Sequence, residues 1–168
     1  EGPDVKWFKG GKLNITENLL DRYLDSKAND IAVLWEPNDP NDDVQKITYK
    51  ELYHRVCEFA NALTRKGIQK GDRVVLYMPM IPELMIACLA CARIGAIHSV
   101  VFAGFSASAL ASRINDSNCK LLVTSDGSYR GNKTIDLKGI CDEALQSCPS
   151  IEHSLVVKRT HEKVAMKK

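Results

Sequence analysis

The feature that most restricts this fold is an alternation beginning near residue 72, in which short, almost continuous apolar runs are separated by helix-length segments. Residues 73–78, rich in Val, Leu and Tyr, read as a strand. Pro82 suits a first helical turn and Gly95 a stop, which sets a helix over about 82–94. A strand is expected at 96–101, a serine-capped helix at 106–114 and a strand at 120–124. Thr134 or Asp136 then opens a helix to about residue 146, ended by Pro149, and a last strand follows at 154–158. Strands alternating with helices of this length imply βαβ units, right-handed crossovers and a mainly parallel sheet. Their apolar continuity implies helices on both faces, so the fold class is α/β.

The first 71 residues read differently. Residues 7–13 are irregular. Asn14, with Glu17 three positions on, forms a capping box for a helix whose apolar positions are Leu19, Leu20, Tyr23 and Leu24. The run 31–35 is a short strand; a turn-rich stretch at 36–43 separates it from a hairpin partner at 44–47. Thr48 and Glu51 form a second capping box, and Leu52, Val56, Phe59, Ala60 and Leu63 make one apolar stripe before Gly67. Its polar face carries Glu58 among Lys50, Arg55 and Arg65, which favours packing on a core over lying on a membrane surface. Two parts follow: an extension with a helix and short β-hairpin at 1–47, and a βαβ-type segment at 48–168.

Composition removes several function classes. A net charge of +2, with basic residues scattered among acids, provides no basic stripe for nucleic acid. No apolar run approaches the roughly 18 residues that span a bilayer. The N-terminus shows neither a positively charged lead nor an apolar signal core. The six cysteines sit mostly in apolar or helical patterns, as in a reducing compartment, and cytoplasm is expected. Cys88 and Cys91 have redox or zinc spacing, but no second ligand pair or strand-to-helix turn accompanies them, so they read as core packing. His98, in an apolar strand, reads as a satisfied buried histidine. With His54, His153 and His161 it assembles no nucleophile, base and orienting group.

Ligands of open α/β sheets bind beyond the carboxyl ends of the strands, and three exits are readable. The exit at 78–83 has two prolines and no glycine, which argues against a dinucleotide turn. The exit at 102–106 is small and aromatic and reads as a tight connection. The exit at 125–133 leaves a buried strand and enters a helix, with Arg130 and Lys133 flanking Gly131 and Tyr129 alongside. Arg presents a planar fork to phosphate and Lys a point charge, and free amides at the helix start would add attraction for an anion. Two readings stand: a phosphate-binding turn, or a solvated loop with two surface cations.

Residues 47–52 resemble the first core motif of the adenylate-forming enzymes, and residues 93–102 the second. A finer similarity is to AMP-forming acetyl-CoA synthetases. It covers Trp7-Phe8 with Gly10 to Asn14, then 77–83, 90–96, 125–127 and 130–135; propionyl-CoA synthetases share much of this stretch. The resemblance implies the first part of the large N-terminal domain of such an enzyme. It also implies a two-step reaction, in which acetate and ATP give acetyl-adenylate and pyrophosphate with Mg2+, and coenzyme A then releases AMP. It assigns Arg130, Gly131, Asn132 and Lys133 to the nucleotide end of coenzyme A, with Arg130 the phosphate partner. The family's Ser/Thr/Gly-rich ATP loop, acyl pocket and C-terminal lysine domain have no counterpart in these 168 residues. No catalytic or metal-binding residue is therefore expected here. The implied partners are acetate, ATP, coenzyme A and the remainder of the polypeptide, and the chain alone is expected to be inactive. The alternatives are a propionyl-CoA synthetase fragment, a stand-alone module for a phosphorylated ligand, or a piece that completes a core.

Overall fold

The computed structural model describes residues 5–131 and 133–166. Its centre is a four-stranded, all-parallel sheet of β3 (Arg73–Met78), β4 (Ile97–Phe102), β5 (Leu121–Ser125) and β8 (His153–Val157), in the order β4-β3-β5-β8. Side chains alternate across a strand, and both faces are apolar here. Val74, Leu76, Met78, Leu121 and Val123 pack with α3 (Tyr49–Arg65) and α4 (Pro82–Ile94). Val75, Tyr77 and Leu122 pack on the other side with α5 (Ala107–Ser117) and α6 (Leu137–Leu145). Each aliphatic side chain so buried contributes about 1.5–3 kcal/mol relative to exposure.

Strand order explains the helix placement. The chain moves from β3 outward to β4, then back past β3 to β5, then on to β8. Crossovers of a single hand that run in opposite directions must use opposite faces. That puts α4 on one side and α5 and α6 on the other. The connections leaving β3 and β5 therefore diverge, and a crevice opens between their carboxyl ends.

Local signals account for most boundaries. In α3 the Thr48 hydroxyl accepts from the Glu51 amide at 3.2 Å, and the Glu51 carboxylate accepts from the Thr48 amide at 2.8 Å. Leu52, Val56, Ala60 and Leu63 make its buried stripe, with Phe59 half-buried beside them. Pro82 opens α4, and Gly95 closes it in the left-handed region at φ 74°. A Cβ there would stand 2.9 Å from Lys70 Cγ. Cys88 and Cys91 lie unbridged in α4, with Cys91 buried, as packing requires. The hairpin of β1 (Ile31–Trp35) and β2 (Gln45–Thr48) is antiparallel as expected.

Three expectations are corrected. The helix after Asn14 is broken into α1 (Ile15–Leu19), a 3-10 turn at Asp21–Tyr23 and α2 (Leu24–Lys27). Asn14 caps α1 through the Thr16 amide at 3.0 Å, while its Nδ2 donates to the Arg93 carbonyl at 2.9 Å. Arg93 also grips Asp21 with two hydrogen bonds, at 2.9 and 2.8 Å. These contacts pin the segment onto α4, and of its neighbouring leucines Leu20 is buried while Leu19 is exposed. Second, β4 is an edge strand and is not covered on both faces: Ile97, Val100 and Phe102 are exposed. His98, in the same strand, is exposed too and is not a buried histidine. Third, of the two openings expected for the last helix, Asp136 is the cap of α6, and Thr134 belongs instead to a strand. Among the described residues no helix is long and apolar enough to cross a membrane.

Candidate functional site

A cleft of about 660 Å³ lies at the carboxyl edge of the sheet, beside the crevice. It is framed by the exits of β3 and β4, by the end of β1, and by a small hairpin that follows β5. Trp35, the last residue of β1, donates its Nε1–H to the Met80 carbonyl at 2.9 Å and so ties the first hairpin to the β3 exit. Phe102 ends β4 with 70% of its surface exposed, and its ring meets Phe105 edge-on at 5.9 Å between centroids. A Cβ on Gly104 would push against the Phe102 ring, so a larger residue here would have to displace that exposed side chain. The Tyr77 hydroxyl donates to the Phe105 carbonyl at 2.7 Å and holds the same turn from beneath. The exit read as a tight connection is thus one wall of the cleft.

The cationic turn differs from its expected form. It does not run straight from β5 into a helix. β6 (Ser128–Arg130) and β7 (Lys133–Ile135) intervene as an antiparallel hairpin, with Arg130 directly opposite Lys133. Gly131 takes φ 57° at its tip, as a two-residue hairpin turn demands. Asn132 lies outside the described residues. At the start of α6 the Gly139 amide is not free for an anion, because Asp136 accepts it at 2.8 Å and caps the helix with its own carboxylate. Arg130 and Lys133 are exposed, and among the described residues neither forms an ion pair. Arg130 lines the cleft. Like charges placed opposite each other on a hairpin repel, and an anion near both would relieve that.

Beneath the hairpin is a buried carboxylate. Asp126 is 3% exposed. Its Oδ1 accepts the amides of Gly127 at 2.8 Å, Arg159 at 2.7 Å and Thr160 at 3.0 Å. Burial pushes this carboxyl up, but the amides of Thr160, Arg159, Gly127 and His161 outweigh it and hold the group below the usual carboxylate range. The exits of β5 and β8 are thereby clamped together.

Arg159 extends from that clamp toward the cleft wall. Its guanidinium lies 5.1 Å from the Trp35 ring centroid and 5.3 Å from that of Tyr129, and it donates to Asn38 Oδ1 at 3.1 Å. In the sequence, residues 158–163 are mostly basic and follow no helical or strand period. No local signal identifies it, since the Asn38 partner is 121 positions away. Asp126, too, stood out only as part of a family motif. Of the four residues assigned from sequence, the hairpin brings Arg130, Gly131 and Lys133 together.

A family model described as AMP-binding enzyme matches residues 20–167. The acetyl-coenzyme A synthetase of Nostoc linckia is 54% identical over 162 residues, covering 96% of this chain and 48% of that protein. The acetyl-coenzyme A synthetase of Saccharophagus degradans is also 54% identical, with 96% of this chain and 25% of that protein covered. Among solved structures, an acetoacetyl-CoA synthetase from Streptomyces lividans superposes with a TM-score of 0.89 at 26% identity, covering 97% of this chain and 25% of that one. The chain spans between a quarter and a half of the length of these relatives.

Proposed function

Because the chain belongs to the AMP-binding enzyme family, we propose that it is the amino-terminal part of an AMP-forming acetate–CoA ligase. The whole protein would join acetate to ATP as acetyl-adenylate and pass the acetyl group to coenzyme A, releasing AMP and pyrophosphate. On this reading the extension at 1–47 and the βαβ segment at 48–168 are two parts of the large domain. The partners are acetate, ATP, coenzyme A and the remainder of the polypeptide, in the cytoplasm.

This chain's share is the nucleotide end of coenzyme A, through Arg130, Gly131 and Lys133, with Asn132 joined to them by sequence alone. One observation carries the reading. Two cations without ion pairs among the described residues stand opposite each other on a hairpin, and Arg130 reaches the rim of a mostly apolar cleft that includes the rings of Trp35, Phe102 and Tyr129. Phosphate suits the cations, and a flat heterocycle suits walls made of Trp35, Phe102 and Tyr129. On this reading Mg2+ is held together with ATP by the remainder of the polypeptide. The acyl pocket and ATP loop belong to the remainder, and the chain alone turns over no acetate.

Calorimetric titration of the 168-residue chain tests this. Coenzyme A should bind weakly, and better than its 3′-dephospho form. Arg130→Ala should weaken it at least about tenfold, the worth of one charge-assisted hydrogen bond. Equal affinity for any polyanion would point instead to a general phosphate-binding module. Acetate-dependent pyrophosphate release by the pure chain would overturn the division of labour.

A further inference from the structure

The hairpin that carries the two cations is too small to hold itself. β6 and β7 have three residues each, and an isolated two-stranded hairpin is at best marginally stable in water. Something outside it must set where Arg130 stands. Tyr129 directly precedes Arg130, and its ring faces the Arg159 guanidinium, whose other ring neighbour is Trp35. One end of this stack and its centre are anchored. Trp35 is tied to Met80, and the Arg159 backbone is tied through its amide to the buried Asp126. Arg159 thus links the β8 exit, the first hairpin and the cationic hairpin at one corner of the cleft.

We propose that Arg159 is a positioning residue, which stacks with Trp35 and Tyr129 to fix the β6–β7 hairpin with Arg130 at the cleft rim. The proposal rests on the reading of Arg130 and Lys133 as a phosphate site. Arg159 itself does not meet the ligand: its charge is met by the two rings and by Asn38 Oδ1 at 3.1 Å. It acts by ordering the hairpin beforehand, so that binding does not have to. The role needs a planar, delocalised cation, because only a guanidinium can stack as a flat plate on aromatic faces. An ammonium would keep the charge and lose the plate.

The experiment combines coenzyme A titration with amide hydrogen exchange across residues 128–135 of the 168-residue chain. Arg159→Ala should weaken coenzyme A about tenfold and speed exchange in the hairpin. Arg159→Lys should behave like Arg159→Ala in both readouts. Full rescue by Arg159→Lys would overturn the proposal in favour of a simple charge effect. Unchanged hairpin exchange in Arg159→Ala would overturn it outright. Arg130→Ala separates the two readings. If Arg130→Ala keeps full affinity while Arg159→Ala frees the hairpin, the phosphate site is refuted and the positioning role stands. If Arg130→Ala loses affinity while Arg159→Ala changes nothing, the reverse holds. Should the unaltered chain bind no coenzyme A, the exchange data decide alone. The clamp on Asp126 uses the backbone amide of residue 159, so these variants keep it, and unchanged circular dichroism confirms that they fold.

Discussion

Asp126→Asn removes one charge and almost no volume, so its effect isolates what the buried carboxylate does. Three amides converge on Oδ1, from Gly127, Arg159 and Thr160. Weakening a hydrogen bond from charged to neutral strength costs about 0.5–1 kcal/mol each. Oδ2 is buried without a hydrogen-bond partner among the described residues, so an NH2 in its place adds about 1–3 kcal/mol. Relief of the carboxylate's desolvation offsets part of this, leaving a net loss of about 2–3 kcal/mol. In a chain of 168 residues that lowers Tm by about 5–10 °C. The pH dependence has a definite sign. The folded carboxyl is held below its ordinary range, so the unfolded chain takes up the proton first as pH falls. The stability contributed is complete above about pH 5 and is lost as pH drops through the folded value. Thermal melts followed by circular dichroism at pH 7 and at acid pH should show the gap between the two proteins narrowing on acidification. A variant melting within about 1 °C of the original at neutral pH would refute the reasoning, since at least one kcal/mol is demanded.

Two further outcomes are expected. Asp21→Asn should lower the urea midpoint by about 1 kcal/mol of stability, a value discounted for exposures of 32% at Asp21 and 21% at Arg93. The Arg93 hydrogen bond holds the Asp21 carboxyl below its usual range, so this contribution fades as pH falls, and a variant with an unshifted midpoint would show the pair to be idle. Burial pushes the Tyr77 hydroxyl up to about 12. One of the five tyrosines should therefore resist ionisation in an ultraviolet titration until about pH 12. Its share of stability is whole below about pH 10 and declines as pH rises through about 12, and normal ionisation near pH 10 in the folded chain would contradict its burial.

Features governed by neighbours in the chain were legible in the amino-acid order. The strand Arg73–Met78, the helix Pro82–Ile94 and the Thr48–Glu51 box depend on residues within one or two turns of each other. The parallel sheet with helices on both sides of its inner strands also followed, because apolar runs alternating with helices leave little other choice. The two cations Arg130 and Lys133 could be picked out by residue type, but their hairpin could not. Residues 128–135 carry no strong strand pattern, and the short ladder is held by a ring–guanidinium contact from another part of the chain.

Strand order was decided by the tertiary structure alone. Because β4 falls at the edge, an apolar strand that reads as buried exposes Ile97, Val100 and Phe102, and His98 faces solvent. The N-terminal helix is broken in the stretch whose Asn14 and Asp21 side chains contact Arg93, 72 or more positions away. Arg159 is the same lesson in reverse: an unpatterned basic residue becomes the centre of a stack because β8 ends beside β5. Periodicity and capping are written in short range, where each residue's neighbours are known. Which side chains meet across the carboxyl edge depends on how several strands are ordered, and that exists only once the chain has folded.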